Sequence, residues 1–212
     1  MSLHNPPNLP SVLHFAEALM LAGPKTLRRL FAPDKSPGAL APRKALVING
    51  HPDPRPERYC AALARACAEG SRAAGWQAEE LVLGGLAGME EAPDGELLSA
   101  FRKFNNAEYI TLVFPLWLNE PPALLSGFLK QAAEEEDAVY PTRARKFRVV
   151  VTMDMPAFAH RSAIRTSKCR LSLAGIVPDE TVFIGSVGLI SLDKRADWLR
   201  ILREAVQAPS PR

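Results

Sequence analysis

Three short segments carry side chains whose types and spacing could do chemistry. Residues 50–59 (GHPDPRPERY) include His51 and Arg58 and run into a predicted helix. The free backbone N–H groups and positive dipole end of such a helix attract an anion. Arg58 falls in the helix's first turn, where a cation is unfavourable unless an anion compensates it, so a bound phosphate is one reading and a solvent-exposed arginine the other. Residues 115–120 (PLWLNE) place Trp117 between a strand end and a proline-started helix. An indole there can lie against a planar ring, or simply pack in the core. Residues 153–158 (MDMPAF) follow another strand, and Thr152 with the backbone around Asp154 could hydrogen-bond a heterocycle's edge. Taken alone, this third segment reads equally as an ordinary loop. The first segment has neither G-x-G-x-x-G nor G-x-x-x-x-G-K, so it is neither a Rossmann dinucleotide loop nor a P-loop.

The elements that must position these loops alternate regularly. Residues 45–49 form an apolar run without polar alternation, as in a strand buried on both faces. A helix is predicted over 58–74, ended by Gly75, and a second strand over 77–83. Asp94 can cap a helix that reaches Asn105. Residues 109–114 (YITLVF), rich in β-branched and aromatic side chains, are the strongest strand. Pro121 and Pro122 open a helix through Gln131, and residues 147–152 (FRVVVT) form the fourth strand. A helix is expected within 157–173, a fifth strand over 181–185 and a last helix over 193–206. Short crossovers of this kind force parallel strands with helices on both faces. Ligands of such a sheet sit at the carboxyl ends of the strands, where all three segments fall.

Composition narrows the class. The chain has 212 residues, 47% apolar and 23% charged, which suits one globular domain with an appendage. No apolar run reaches the ~18 residues of a spanning helix, and no secretory signal opens the chain. Cys60, Cys67 and Cys169 contain no Cys-x-x-Cys pair, which predicts a reducing, cytoplasmic setting. The four histidines lie far from them, so no metal site is expected. Cys60, in a first helical turn, is the thiol with grounds for a lowered pKa.

Seven of the 19 prolines fall in residues 1–43, which read as a proline-rich extension with short helices, packed on the 44–207 domain or on a partner subunit. That extension holds five basic and two acidic residues, leaving 21 of each sign in residues 44–212. A neutral body does not suit nucleic acid, and the two basic turns around 25–31 are too short for stable membrane insertion. Between Arg143 and Arg170 eight basic residues face only Asp154, a pattern of a solvated face or of a rim that attracts a phosphorylated ligand.

The segments ALVINGHPDP (45–54), CAALARACAEGSRAAGW (60–76), VFPLWLNEPPALLSGFLKQ (113–131), VVVTMDMPA (149–157) and AGIVPDETVFIGSVG (174–188) occur in order. Together they resemble the flavodoxin-like NAD(P)H quinone oxidoreductase family over about residues 44–204. The resemblance implies a five-stranded parallel sheet of order 2-1-3-4-5 with helices on both faces. It also implies a flavin, FMN or FAD, held by the three loops, with NAD(P)H as hydride donor and a quinone-like small molecule as acceptor. The phosphate would sit at His51, Arg58, Tyr59 and Cys60. The ring would lie on Pro115, Leu116, Trp117 and Leu118, with Thr152, Met153 and Asp154 closing the other side. His160 is a candidate proton donor, and the family's habit implies a homodimer.

Three departures accompany the resemblance. Residues 49–70 offer no serine or threonine to a phosphate, residues 132–145 are short and acidic where the family inserts a long pocket loop, and Asp154 stands where the family has glycine. They leave a second reading open, a flavodoxin-like domain that binds a ligand or partner without turnover.

Overall fold

The computed structural model describes residues 43–86, 95–117, 120–139, 146–156 and 176–206, with the backbone alone for 133–139. Five strands form one sheet: β1 (Lys44–Asn49), β2 (Gln77–Val82), β3 (Tyr109–Pro115), β4 (Lys146–Thr152) and β5 (Glu180–Ile184). All neighbours are parallel and the order is β2-β1-β3-β4-β5, as the resemblance implies. Among the described residues four helices accompany it: α1 (Tyr59–Ala73), α2 (Gly95–Asn106), α3 (Ala123–Val139) and α4 (Leu192–Glu204).

Period-two alternation of the strands sorts the core into two layers. Leu46 and Ile48, Ile110, Leu112 and Phe114, and Val149 and Val151 meet Phe101 and Phe104 of α2 and Leu125, Phe128 and Leu129 of α3. Val47, Val113, Val150 and Ile184 point the other way, onto Leu63, Ala64 and Cys67 of α1 and Leu202 of α4. The central strands β1, β3 and β4 are buried on both faces and therefore read as continuous apolar runs. Edge strand β2 instead carries the charged pair Glu79 and Glu80. Gly70 lets α1 and α4 approach closely, because a methyl there would strike the Arg203 carbonyl.

Most element ends fall within a residue or two of the expected ones. The exception is α3, which runs eight residues past Gln131. Glu134, Glu135 and Glu136 are good helix formers, and no glycine or proline stands between Gly127 and Pro141 to stop the helix. The acidic run Glu134–Asp137 thus lies within the helix. The Asp94 cap, the helix expected within 157–173 and the extension lie outside the described residues.

Candidate functional site

The first loop leaves the carboxyl end of β1 at Asn49, which is buried. Its Oδ1 accepts the His51 N–H at 3.1 Å, which turns the amide toward the loop, and its Nδ2 is buried with no hydrogen-bond partner. Such an orphaned donor is uncommon and is where a ligand or water belongs. His51 Nδ1 lies 2.9 Å from the Asp53 N–H and 3.1 Å from the Asp53 carbonyl oxygen, so it accepts from the first or donates to the second according to its tautomer. Burial holds the His51 pKa below its usual value, which keeps the ring neutral. Beneath the loop lies Gly84, in the single 3₁₀ turn Leu83–Gly85 that follows β2, and a methyl at that position would strike the Pro52 carbonyl.

Asp53 gathers both arginines of the loop. Arg55 donates from Nε to both carboxylate oxygens at 3.0 Å and from Nη2 to Oδ2 at 2.6 Å. Arg58 donates from Nε to Oδ2 at 2.6 Å and adds an Nη2 ion pair to the same oxygen. The Arg55 hydrogen bonds first, then those of Arg58, hold the Asp53 carboxyl well below the usual carboxylate range. Arg58 is the N-cap of α1, and its side chain makes no capping bond to the helix. Its carbonyl accepts from Ala61 at 2.9 Å and Ala62 at 3.2 Å. Among the described residues, the Tyr59 and Cys60 N–H groups donate to nothing. The helix end therefore presents free donors behind a pair of arginines that share one carboxylate.

The second loop brings Trp117 beside the first. Its ring meets His51 edge-on, with centroids 5.7 Å apart and planes at 82°. The indole remains 49% exposed. Leu116 is buried and donates its N–H to Thr152 at 2.8 Å, while Trp117 and Glu120 exchange backbone bonds at 3.0 and 2.8 Å. The Leu116 and Trp117 amides are thus used inside the protein, and the loop presents the indole itself.

The third loop is laced to β5. Met153 is buried, donates to the Ile184 carbonyl at 3.0 Å and accepts from Val187 at 3.1 Å. Thr152 is also buried, and its hydroxyl lies 3.3 Å from the Cys60 thiol. Cys60 departs from its expected low pKa: burial pushes the thiol up to about 11. The helix dipole does not overcome that desolvation. Asp154 is exposed and makes no hydrogen bond or ion pair among the described residues. Pro115 ends β3, whereas Leu118 and His160 lie outside the described residues.

The structure thus joins His51, Arg58 and Trp117 at one end of the sheet, with the Tyr59 and Cys60 amides behind them. Sequence reasoning missed Asn49, Asp53 and Gly84. Asp53 had a signal: prolines at 52, 54 and 56 stiffen the loop and leave Asp53 and Arg55 two residues apart on an extended chain.

A parallel sheet of order 2-1-3-4-5 flanked by helices defines a doubly wound α/β protein, a class whose ligands sit at the carboxyl ends of the strands. The chain belongs to the flavodoxin-like fold family, whose family model matches residues 43–185. The NAD(P)H:quinone oxidoreductase from Methanothermobacter marburgensis superposes with a TM-score of 0.59 at 17% identity, covering 78% of this chain and 94% of that one. An FMN-dependent NADH-azoreductase from Bacillus anthracis in complex with FMN gives 0.53 at 14%, covering 77% and 97%. An NADPH-quinone reductase from P. pentosaceus gives 0.53 at 15%, covering 76% and 96%. No curated protein sequence matches the chain. Among the described residues, no helix is long and apolar enough to cross a membrane.

Proposed function

We propose that this protein is a flavin-dependent NAD(P)H oxidoreductase that passes two electrons to a quinone or similar small-molecule acceptor. The observation that carries this reading is the convergence of unused anion donors and a half-exposed indole at the carboxyl end of one sheet. The Tyr59 and Cys60 N–H groups, the buried Asn49 Nδ2 and the guanidinium of Arg58 suit the phosphate of FMN. Trp117 suits its planar ring, with Pro115, Leu116 and Leu118 on one side and Thr152, Met153 and Asp154 on the other. When bound, the flavin supplies hydride uptake from NAD(P)H and two-electron delivery. The chain's own part is positional. His51 fixes the loop through Asp53 and packs beside Trp117, while Asp154 places a carboxylate on the rim of the third loop. His160 is the further proton-donor candidate, and the working form proposed is a cytoplasmic homodimer.

Purified full-length protein should carry or take up FMN near 1:1 and then oxidise NADH or NADPH in the presence of a quinone. Flavin bound without turnover would support the second reading, a binding domain of the same fold. That reading draws on Asp53, which already occupies the loop's arginines, and on the Leu116 and Trp117 amides, which are used inside the protein. Failure to bind any flavin would reject the oxidoreductase outright.

A further inference from the structure

Asp53 is a carboxylate in a loop that otherwise suits an anion, and it is the one that pairs with both of the loop's arginines. The loop collects donors: two guanidinium groups, the Tyr59 and Cys60 N–H groups, and, at the strand end where the loop starts, a buried Asn49 Nδ2 with no partner. Against these stand two carboxylates, Asp53 and the exposed Glu57, and both arginines are spent on Asp53. The arginine side chains are well exposed, and exposed ion pairs are weak and readily exchanged. With Asp53 ionised, Asp53, Arg55 and Arg58 sum to a single positive charge, and without Asp53 to two; Glu57 lowers each sum by one. A phosphate dianion entering beside α1 meets a like charge as well as two attractive ones. No serine or threonine between residues 49 and 70 shares the load.

We infer that Asp53 is an intramolecular competitor for the loop's phosphate site. Its carboxylate holds Arg55 and Arg58 until a phosphate group displaces it, so residue 53 sets how strongly the loop prefers phosphorylated ligands over unphosphorylated ones. The inference rests on the anion-site half of the proposed function and not on the redox half. Displacement exchanges one set of charge-assisted hydrogen bonds for another, so the wild-type loop gains little from a phosphate. Removing the carboxylate removes both the competitor and its repulsion.

The test uses the full chain and inorganic phosphate, followed through the backbone amide resonances of Tyr59 and Cys60. Asp53→Asn and Asp53→Ser should each bind phosphate about tenfold more tightly than wild type, whereas Asp53→Glu, which keeps the charge, should stay within about twofold. Unchanged or weaker binding in both neutral variants would overturn the inference and make Asp53 a strut that presents the arginines. In the wild-type chain itself, phosphate should move the Arg55 and Arg58 Nε–H resonances together with the amides. A titration that shifts only the amides overturns displacement whether or not the variants fold. FMN and riboflavin then separate this inference from the flavin reading. The FMN-to-riboflavin affinity ratio should rise by the same factor in Asp53→Asn. FMN binding with an unchanged ratio overturns the competitor role. Tighter phosphate with no binding of either flavin supports it and rejects the flavin.

Discussion

The Cys60 thiol and the Thr152 hydroxyl, both buried, lie 3.3 Å apart and join the first turn of α1 to the last residue of β4. The contact fixes the height of the helix end against the strand that ends beneath the third loop. It also shows how a position read as reactive becomes inert, since one short side chain decides between an exposed dipole end and a closed layer.

Cys60 and Cys67 should therefore resist thiol reagents. Burial pushes both up to about 11 from an unfolded value of 9.0, leaving about 0.1% thiolate at pH 8. In a Cys169→Ser background, labelling should be very slow in the native state and complete in denaturant. Because the folded pKa values are raised, the stability they reflect is whole below pH 9 and is lost as pH rises from 9 toward 11. Urea midpoints should fall across that window. Fast native labelling of either thiol at pH 8 would show an open layer.

Arg148 is 1% exposed in the middle of β4. Glu180 answers it with two contacts at 3.2 Å, and the Leu202 carbonyl accepts from Nη1 at 3.3 Å. Glu180→Gln should cost roughly 1–3 kcal/mol, less than a fully buried pair because the glutamate is half exposed. Arg148→Met added to that variant should recover much of the loss by removing the uncompensated charge. Chemical denaturation of the four members of the cycle measures this, and a double variant no more stable than Glu180→Gln would contradict it.

Much of the fold was legible because the buried strands are short β-branched runs between helices, as YITLVF shows for β3. The strand order was not: alternation dictates parallel strands, and only the resemblance supplied 2-1-3-4-5. The length of α3 was missed because an acidic run looks like a loop boundary when no breaker marks the true end. At the site, Arg58 and Trp117 were visible as residue types out of place. The edge-on contact of His51 with Trp117 was not, because it joins two loops 66 positions apart. The role of Asp53 was not legible because its pairing with Arg58, five positions on, depends on how the proline-rich loop folds back.

Two glycines should separate folding from binding. Gly70→Ala drives a methyl into the Arg203 carbonyl, far from the first loop, and should cost roughly 1–3 kcal/mol with anion binding little changed. Gly84→Ala drives one into the Pro52 carbonyl and should weaken phosphate or FMN binding several-fold, because the loop must shift. Thermal melts and ligand titrations on both variants check the contrast. Equal binding losses would show that the loop is not held from below at Gly84.

Acid should act through His51. Its folded pKa is depressed by burial, so the unfolded chain takes up the proton first. Stability is then unaffected above the unfolded value of 6.5 and declines as pH falls below it. The protonated ring can donate from Nδ1 to the Asp53 carbonyl but can no longer accept the Asp53 N–H. His51→Asn should flatten the change in urea midpoint between pH 7 and 5. The same slope in both proteins would place the acid sensitivity elsewhere.

The closure of α4 over α1 also governs the order of events during synthesis. Val47 and Val113 share their side of the sheet with Leu202, yet the ribosome delivers Leu202 last. At roughly 5–20 residues per second, Val47 waits on the order of ten seconds for its final cover. Throughout that interval one flank of the nascent sheet stays open to water. Loss of the last helix, by a premature stop codon or a protease cut near Ser191, would strand the domain in that open-flanked state, prone to aggregation and dependent on chaperones.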